Sequence, residues 1–362
     1  MTPTAHLPDA LTLAHGPALL NRFMLAPLTN TQSHVDGTLS DEEFRWLTMR
    51  AQGGFAATMT CAAHVQAIGQ GFPGQLGVFS DTHLAGLTRL ASAIKAAGSV
   101  ALCQLHHAGM RSPADLIGQA PVCPSDDAET GSRALSLAEV ARLIEDFIVA
   151  AERARAAGFD GVEVHGAHGY ILCQFLSEEI NHRTDAYGGS AENRARIIVE
   201  ILQGIRDRCG SDFILGLRLS PERFGLKLVE IVDLARHVMR QGLIDFLDMS
   251  LWDHAKEPTE AEFKGRSLMS YFTELDRGGV ALGVAGKITT AATAQACLDA
   301  GADFVLIGRG AVLHHDFPRR VEADPQFATI TLPVTRAYLA GEGLGAAFID
   351  YMNNWPGFVA AE

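Results

Sequence analysis

The sequence predicts an α/β fold: a single (β/α)8 TIM barrel over residues 1–362, with an N-terminal cap and a C-terminal extension. Three observations predict it. Eight apolar runs of strand length recur along the chain, each ending near a polar residue or a glycine. The runs are continuous rather than alternating, as expected of strands buried on both faces of a parallel sheet. Helical patterns with start and stop signals fill the gaps between them.

In order, the predicted strands are Arg22–Pro27, Phe55–Cys61, Val100–His106, Gly161–His165, Phe213–Ser220, Phe246–Ser250, Val280–Ala285 and Asp303–Gly308. Ser40-Asp41-Glu42-Glu43 reads as a capping box opening a helix through Arg50, stopped by Gly53-Gly54. Ser136-Leu137-Ala138-Glu139 opens a longer helix to about Ala157, with Gly158 as its stop. Ser190 starts a third, ending near Arg208 before Gly210, and Thr290–Ala300 followed by Gly301 repeats the scheme. Residues before Arg22 are expected to cap the barrel bottom. Those after about Phe317 are expected to hold the eighth helix and a tail. An open doubly wound sheet is the rival, but no GxGxxG follows the first strand, which runs into Ala26-Pro27-Leu28-Thr29.

Composition narrows the function. The 362 residues are 48% hydrophobic and 20% charged, with mean hydropathy +0.11. Such a chain buries a large core, which excludes global disorder. Lys and Arg number 29 against 42 Asp and Glu, a net charge of −13. That balance argues against nucleic acid and against an anionic membrane surface. No apolar window reaches the roughly 18 residues of a membrane span, and no Lys or Arg precedes Arg22 as a secretory leader would require. Six cysteines are scattered without a CxxC, which fits buried thiols in a reducing compartment. The expectation is a cytoplasmic enzyme acting on a small molecule, with a homo-oligomer left open.

Barrel chemistry collects at the C-terminal ends of strands. There the sequence offers Thr29, Cys61, Gln104, His106, His107, Glu163, His165, His168, Arg218, Ser250, Trp252, Lys287 and Arg309. Strands seven and eight end in Ala285-Gly286-Lys287 and Ile307-Gly308-Arg309-Gly310. Glycine turns feeding helix N-termini, with an arginine fork, suit a phosphate. His165 and His168 read as a metal pair, an anion-binding pair or core histidines. No further ligand stands at recognisable spacing and HExxH is absent, so no metal is expected. Two imidazole donors aimed at a substrate oxygen fit better, with Tyr170 as an acid or as a buried aromatic. Arg218 inside an apolar strand calls for an anion or an acceptor-rich ring, or for a rim salt bridge. Gln104 offers a donor and an acceptor to the edge of a heterocycle, or bonds a loop backbone.

These residues resemble the Old Yellow Enzyme family of FMN-dependent NAD(P)H oxidoreductases. The most specific stretch runs from Val162 through His165-Gly166-Ala167-His168-Gly169-Tyr170 to Gln174-Phe175-Leu176-Ser177. Asn181-His182-Arg183-Thr184-Asp185-Ala186-Tyr187-Gly188-Gly189-Ser190 and Glu192-Asn193-Arg194 extend it. The resemblance implies FMN across the barrel mouth, with Ala26, Pro27 and Leu28 under the isoalloxazine, Thr29 on O4, and Cys61 nearby. Gln104 and Arg218 would hold the pyrimidine edge, with Arg218 meeting negative charge at N1 of the reduced ring. Gly286, the backbone of Lys287, Gly308 and Arg309 would bind the phosphate. His165 and His168 would clamp a carbonyl or nitro oxygen and Tyr170 would donate the proton. Trp252, outside the family pattern, either narrows the substrate pocket or packs under a loop. The implied activity is reduction of an activated C=C bond by hydride from NADH or NADPH through the flavin. Oxidative dehydrogenation or demethylation on the same site is the alternative.

Three departures from the family pattern stand out. Gly-Lys-Ile-Thr replaces the commoner Gly-Gly-Ile at strand seven, Gly310–Pro318 diverges after Arg309, and Ser250-Leu251-Trp252 puts a large residue near the mouth. The tail Tyr351-Met352-Asn353-Asn354-Trp355 matches no family feature. A remoter rival is a Schiff-base aldolase with Lys287 as nucleophile, which needs a desolvated amine.

Overall fold

The computed structural model describes residues 5–361. Eight parallel strands close a barrel in chain order: β1 (Phe23–Leu25), β2 (Ala57–His64), β3 (Val100–His106), β4 (Gly161–Gly166), β5 (Ile214–Leu219), β6 (Phe246–Ser250), β7 (Ala281–Ala285) and β8 (Phe304–Ile307). β8 pairs back onto β1. β3 and β6 keep their predicted bounds, whereas β2 runs three residues past its predicted end at Cys61. A register shift between Met59 and Ala62 marks a bulge there, which turns the following side chains to the opposite face.

The barrel floor is apolar. Met24, Met59, Leu102, Ile214, Phe246, Phe304 and Leu306 form one buried cluster, and Leu13 and Leu19 of the N-terminal segment close it from below. Phe246 and Phe304 meet edge to face with centroids 5.8 Å apart. Gly216 and Gly283 make room for these rings. A Cβ at Gly216 would fall 2.1 Å from Phe246, and one at Gly283 would fall 2.3 Å from Phe304. The N-terminal cap is pinned by His15 Nδ1 on Asp245 Oδ1 at 2.5 Å.

The outer ring contains α1 (Asp41–Gln52), α2 (Leu84–Ala96), α3 (Leu137–Ala156), α4 (Ala191–Cys209), α5 (Leu228–Arg240), the single turn α6 (Ser270–Thr273), α7 (Ala291–Asp299) and α8 (Phe317–Ala323). Ser136 and Glu139 form the reciprocal capping box expected of α3. At α1 only half of the predicted box forms. Ser40 Oγ accepts from the Glu43 N–H, but the buried Glu43 carboxylate turns to Asn30 Nδ2 and Ser33 Oγ. It thereby ties the loop after β1 to the helix. Two further helices, α9 (Arg336–Gly341) and α10 (Ala346–Met352), form the C-terminal extension. This extension packs on α1 through Trp46 and Phe348, at 4.9 Å.

Candidate active site

The loops at the C-terminal ends of the strands carry the backbone strain. Thr31, His168, Arg223, Phe224, Trp252 and Lys287 are the non-glycine residues with positive φ among those described, and all follow barrel strands. Such conformations cost energy and cluster where geometry serves function. A cavity of about 460 Å³ opens between these loops, lined by Ala26, Pro27, Leu28, Arg218, Ala285–Thr289, Leu306, Gly308 and Arg309. Ala26, Pro27 and Leu28 give it an apolar side. A Cβ on Gly308 would have only Leu28 and Ala26 within 4 Å, so the cavity is open beside that turn. Gly286 is needed for close approach, since a Cβ would press within 2.9 Å of the Asp253 and His254 backbone nitrogens.

Beside this cavity the end of β4 presents a wall of rings. The His165 and His168 centroids lie 5.1 Å apart, His165 and Tyr170 5.2 Å, His106 and Tyr170 4.3 Å, and His168 and Trp252 6.1 Å. His168 adopts φ +61, its N–H held by Ser220 Oγ at 3.0 Å. Gln174 Nε2 donates to the Gly169 and Ala108 carbonyls, which locks the turn. His168 Nδ1 meets His165 Nε2 at 3.1 Å, and His168 Nε2 meets Ser250 Oγ at 2.7 Å. Burial holds both imidazoles well below their ordinary value, reinforced at His165 by His168 and Arg218 and at His168 by Arg218 and Arg111. Both are therefore neutral at pH 7, with one N–H donor each.

His106 has its tautomer fixed from outside. Gln75 Oε1 accepts from the Gly71 N–H at 2.6 Å, so its Nε2 donates to Ala62 O at 2.7 Å and faces His106 Nδ1 at 3.0 Å. The proton of His106 is thus on Nε2, which is buried without a partner among the described residues. Two guanidinium groups end the wall. Arg111 lies over the Tyr170 ring at 4.8 Å and donates to His168 O at 2.6 Å, and Arg223 lies over Trp252 at 4.3 Å.

Below the cavity, β3 to β6 place Gln104, Glu163, Arg218 and Asp248 in one buried layer. Gln104 Nε2 donates to Glu163 Oε1 at 2.7 Å. Arg218 Nε pairs with Asp248 Oδ2 at 2.9 Å, and Arg218 also lines the cavity. Other cavities exist, about 720 Å³ near Leu20 and Pro318 and about 530 Å³ between α4 and α5. The second is lined by Glu192, Arg196, Glu200, Glu230, Asp233 and His237, between two outer helices and away from the strand ends.

Residues 12–326 match the model of the NADH:flavin oxidoreductase / NADH oxidase family. The chain belongs to that family. It is 35% identical over 312 residues to a probable NADH-dependent flavin oxidoreductase of Bacillus subtilis (strain 168), covering 83% of each chain. Among solved structures it resembles the Old Yellow Enzyme homologue of Zymomonas mobilis. The TM-score is 0.80 at 27% identity, over 96% of this chain and 99% of that one. Morphinone reductase in complex with tetrahydroNAD gives 0.79 at 28%, over 96% and 97%. The chain spans only 36% of a longer relative, an NADH:fumarate oxidoreductase of Klebsiella pneumoniae (strain 342). The protein is therefore an FMN-dependent NAD(P)H oxidoreductase of the Old Yellow Enzyme type. Among the described residues no helix is long and apolar enough to cross a membrane.

The residues present fit FMN. The cavity joins an apolar side at Ala26–Leu28, the guanidinium of Arg218, and two glycine turns with Arg309. Of the residues the sequence singled out, Ala26, Pro27, Leu28, Arg218, Gly286, Lys287, Gly308 and Arg309 line this one cavity. Gln104 stands beneath it. Thr29 stands at its rim, where the hydroxyl of Tyr351 reaches it from the C-terminal extension. His165, His168, Tyr170 and Trp252 form the ring wall.

Cys61 does not reach the site. Beyond the bulge Ala62 pairs with Gln104, so Cys61 turns outward to Glu43 of α1 and packs in the outer core. Lys287 gains an explanation: its Nζ pairs with Asp253 Oδ2 at 3.0 Å and its side chain is 59% exposed. An exposed, ion-paired amine does not suit Schiff-base chemistry. Asp248, Gln75, Arg111, Arg223 and Tyr351 were not singled out by sequence. Asp248 alone had a signal, an acidic residue inside the apolar strand Phe246–Ser250.

Proposed function

We propose that the protein reduces the activated C=C bond of α,β-unsaturated carbonyl or nitro compounds, with electrons from NADH or NADPH. The carrying observation is the ring wall of His165, His168 and Tyr170 beside the cavity, with His165 in register with Arg218 on the next strand. FMN, when bound, carries two electrons between the nicotinamide and the substrate. Ala26, Pro27, Leu28 and Thr29 would carry its ring, Gln104 and Arg218 its pyrimidine edge, and Gly286, Lys287, Gly308 and Arg309 its phosphate.

The chain's residues then do the polar work. His165 and His168, both neutral, donate to the substrate oxygen and make the β-carbon electrophilic. Their mutual hydrogen bond and that to Ser250 are the ones a substrate oxygen replaces. Tyr170 delivers the proton to the α-carbon, its ring held between His106 and His165 and beneath Arg111. Trp252 and Arg223 border the opening and limit substrate size. A positioned acid contributes about 10²–10⁴-fold, so Tyr170→Phe slows enone reduction by that factor while NADPH still bleaches the flavin. Enone reduction at the parental rate in the variant would remove Tyr170 from this role.

A further inference from the structure

The layer beneath the cavity holds more acid than its chemistry requires. Glu163 on β4 and Asp248 on β6 flank β5, where Glu163 is in register with Gly216 and Asp248 with Arg218, whose guanidinium it meets. Both carboxyl groups are buried above the Phe246–Phe304 floor, and the buried Arg218 runs from them to the cavity. Two buried carboxylates facing one arginine leave an uncompensated negative charge, which a low-dielectric interior does not tolerate.

The partners of the two acids are unequal in charge. Asp248 faces the cationic arginine at 2.9 Å, an ion pair in which Nε and both Asp248 oxygens make no hydrogen bond among the described residues. Glu163 has only the neutral Gln104 amide on Oε1, and its Oε2 has no partner among the described residues. The other ionisable groups facing the layer are His106 on β3 and His165 on β4, both kept neutral by burial. Ala26, Gly283 and Leu306, from β1, β7 and β8, bring no charge. Burial pushes both carboxyl groups up. At Glu163 the charge of Asp248 adds to this, with Arg218 and the Gln104 bond opposing it, while at Asp248 Arg218 opposes it.

We propose that Glu163 is a neutral acid that anchors the Gln104 amide, and that Asp248 is the sole anionic counter-ion of Arg218. Together they set the charge that the barrel presents to the pyrimidine edge of FMN. Both are positioning residues, acting through Gln104 and Arg218. The inference rests on the FMN placement proposed above.

The test is the two-electron midpoint potential of bound FMN at pH 7. Asp248→Asn leaves Arg218 uncompensated, favours charge at the pyrimidine edge, and shifts the reduction equilibrium at least tenfold towards reduced flavin. For a two-electron couple that is a rise of about 30 mV. Glu163→Gln swaps a neutral acid for a neutral isostere and leaves the potential where it was. An equal rise in both variants would show Glu163 to be charged, and no rise in either would reduce the layer to scaffold; each result overturns the proposal. If Asp248→Asn does not fold, infrared spectra of the parent holoenzyme decide. The proposal requires a protonated-carboxyl C=O band at pH 7 that disappears in Glu163→Gln, and its absence from the parent refutes it. Arg218→Lys separates the two readings, because a potential unmoved by that change would displace FMN from Arg218 and take the proposal with it.

Discussion

Arg50 shows how the fold holds the segment after β8, where the proposed phosphate site lies. It lies wholly buried in α1. Its Nε and Nη2 donate to Ala311 O at 3.2 and 2.9 Å, Nη2 also to Glu342 O at 2.8 Å, and Nη1 to Trp46 O at 3.0 Å. The guanidinium stacks on Trp46, 3.0 Å from the ring centre. One side chain thus joins α1, the turn two residues beyond Arg309, and the C-terminal extension. Replacement by Met keeps the volume but leaves the Ala311 and Glu342 carbonyls without this donor. An unsatisfied buried acceptor costs about 1–3 kcal/mol, so two cost about 2–6 kcal/mol, with about 4 kcal/mol as the expected loss. Guanidinium denaturation followed by far-ultraviolet circular dichroism reads it, and a flavin fluorescence titration reads the accompanying loss of FMN affinity. A loss below about 1 kcal/mol, less than one lost acceptor, with FMN affinity unchanged would refute the reasoning.

Two further outcomes follow from the rim and the buried histidines. Trp252 is 46% exposed, so Trp252→Ala changes stability by no more than about 0.5 kcal/mol yet raises kcat/KM for bulky enones relative to small ones. An unchanged ratio would make Trp252 a bystander. Burial lowers His64 from 6.5 to about 4 and His107 from 6.5 to about 3. Below pH 6.5 the unfolded chain therefore binds protons that the folded chain refuses. Stability is full above pH 6.5 and falls as the pH drops towards 4 and then 3. Each histidine adds a slope approaching about 1.4 kcal/mol per pH unit. Denaturation midpoints that stay flat from pH 7 to pH 4.5 would contradict this.

The barrel was legible because its strands are continuous apolar runs and because Ser136, Ser190 and Thr290 cap their helices through side chains. The helices α2 and α5 carry no such sign. His83 and Lys227 precede them without any side-chain cap, and packing of their apolar faces must hold them. Cys61 was misplaced because the predicted strand ends there; the observed strand runs on to His64, and the bulge between Met59 and Ala62 turns Cys61 outward. The glycine turns, Arg218 and the His165–Tyr170 run were readable as a rim. The Gln75 lock on His106, the tail's contact with Thr29 and the Glu163–Asp248 pair join residues far apart in sequence. No local pattern announces them.

The most direct test of the account is the visible spectrum of the purified protein through one turnover. It predicts bound flavin whose bands bleach on anaerobic addition of NADPH or NADH and return on addition of 2-cyclohexen-1-one. A flavin that bleaches but is not restored by the enone would contradict ene-reduction.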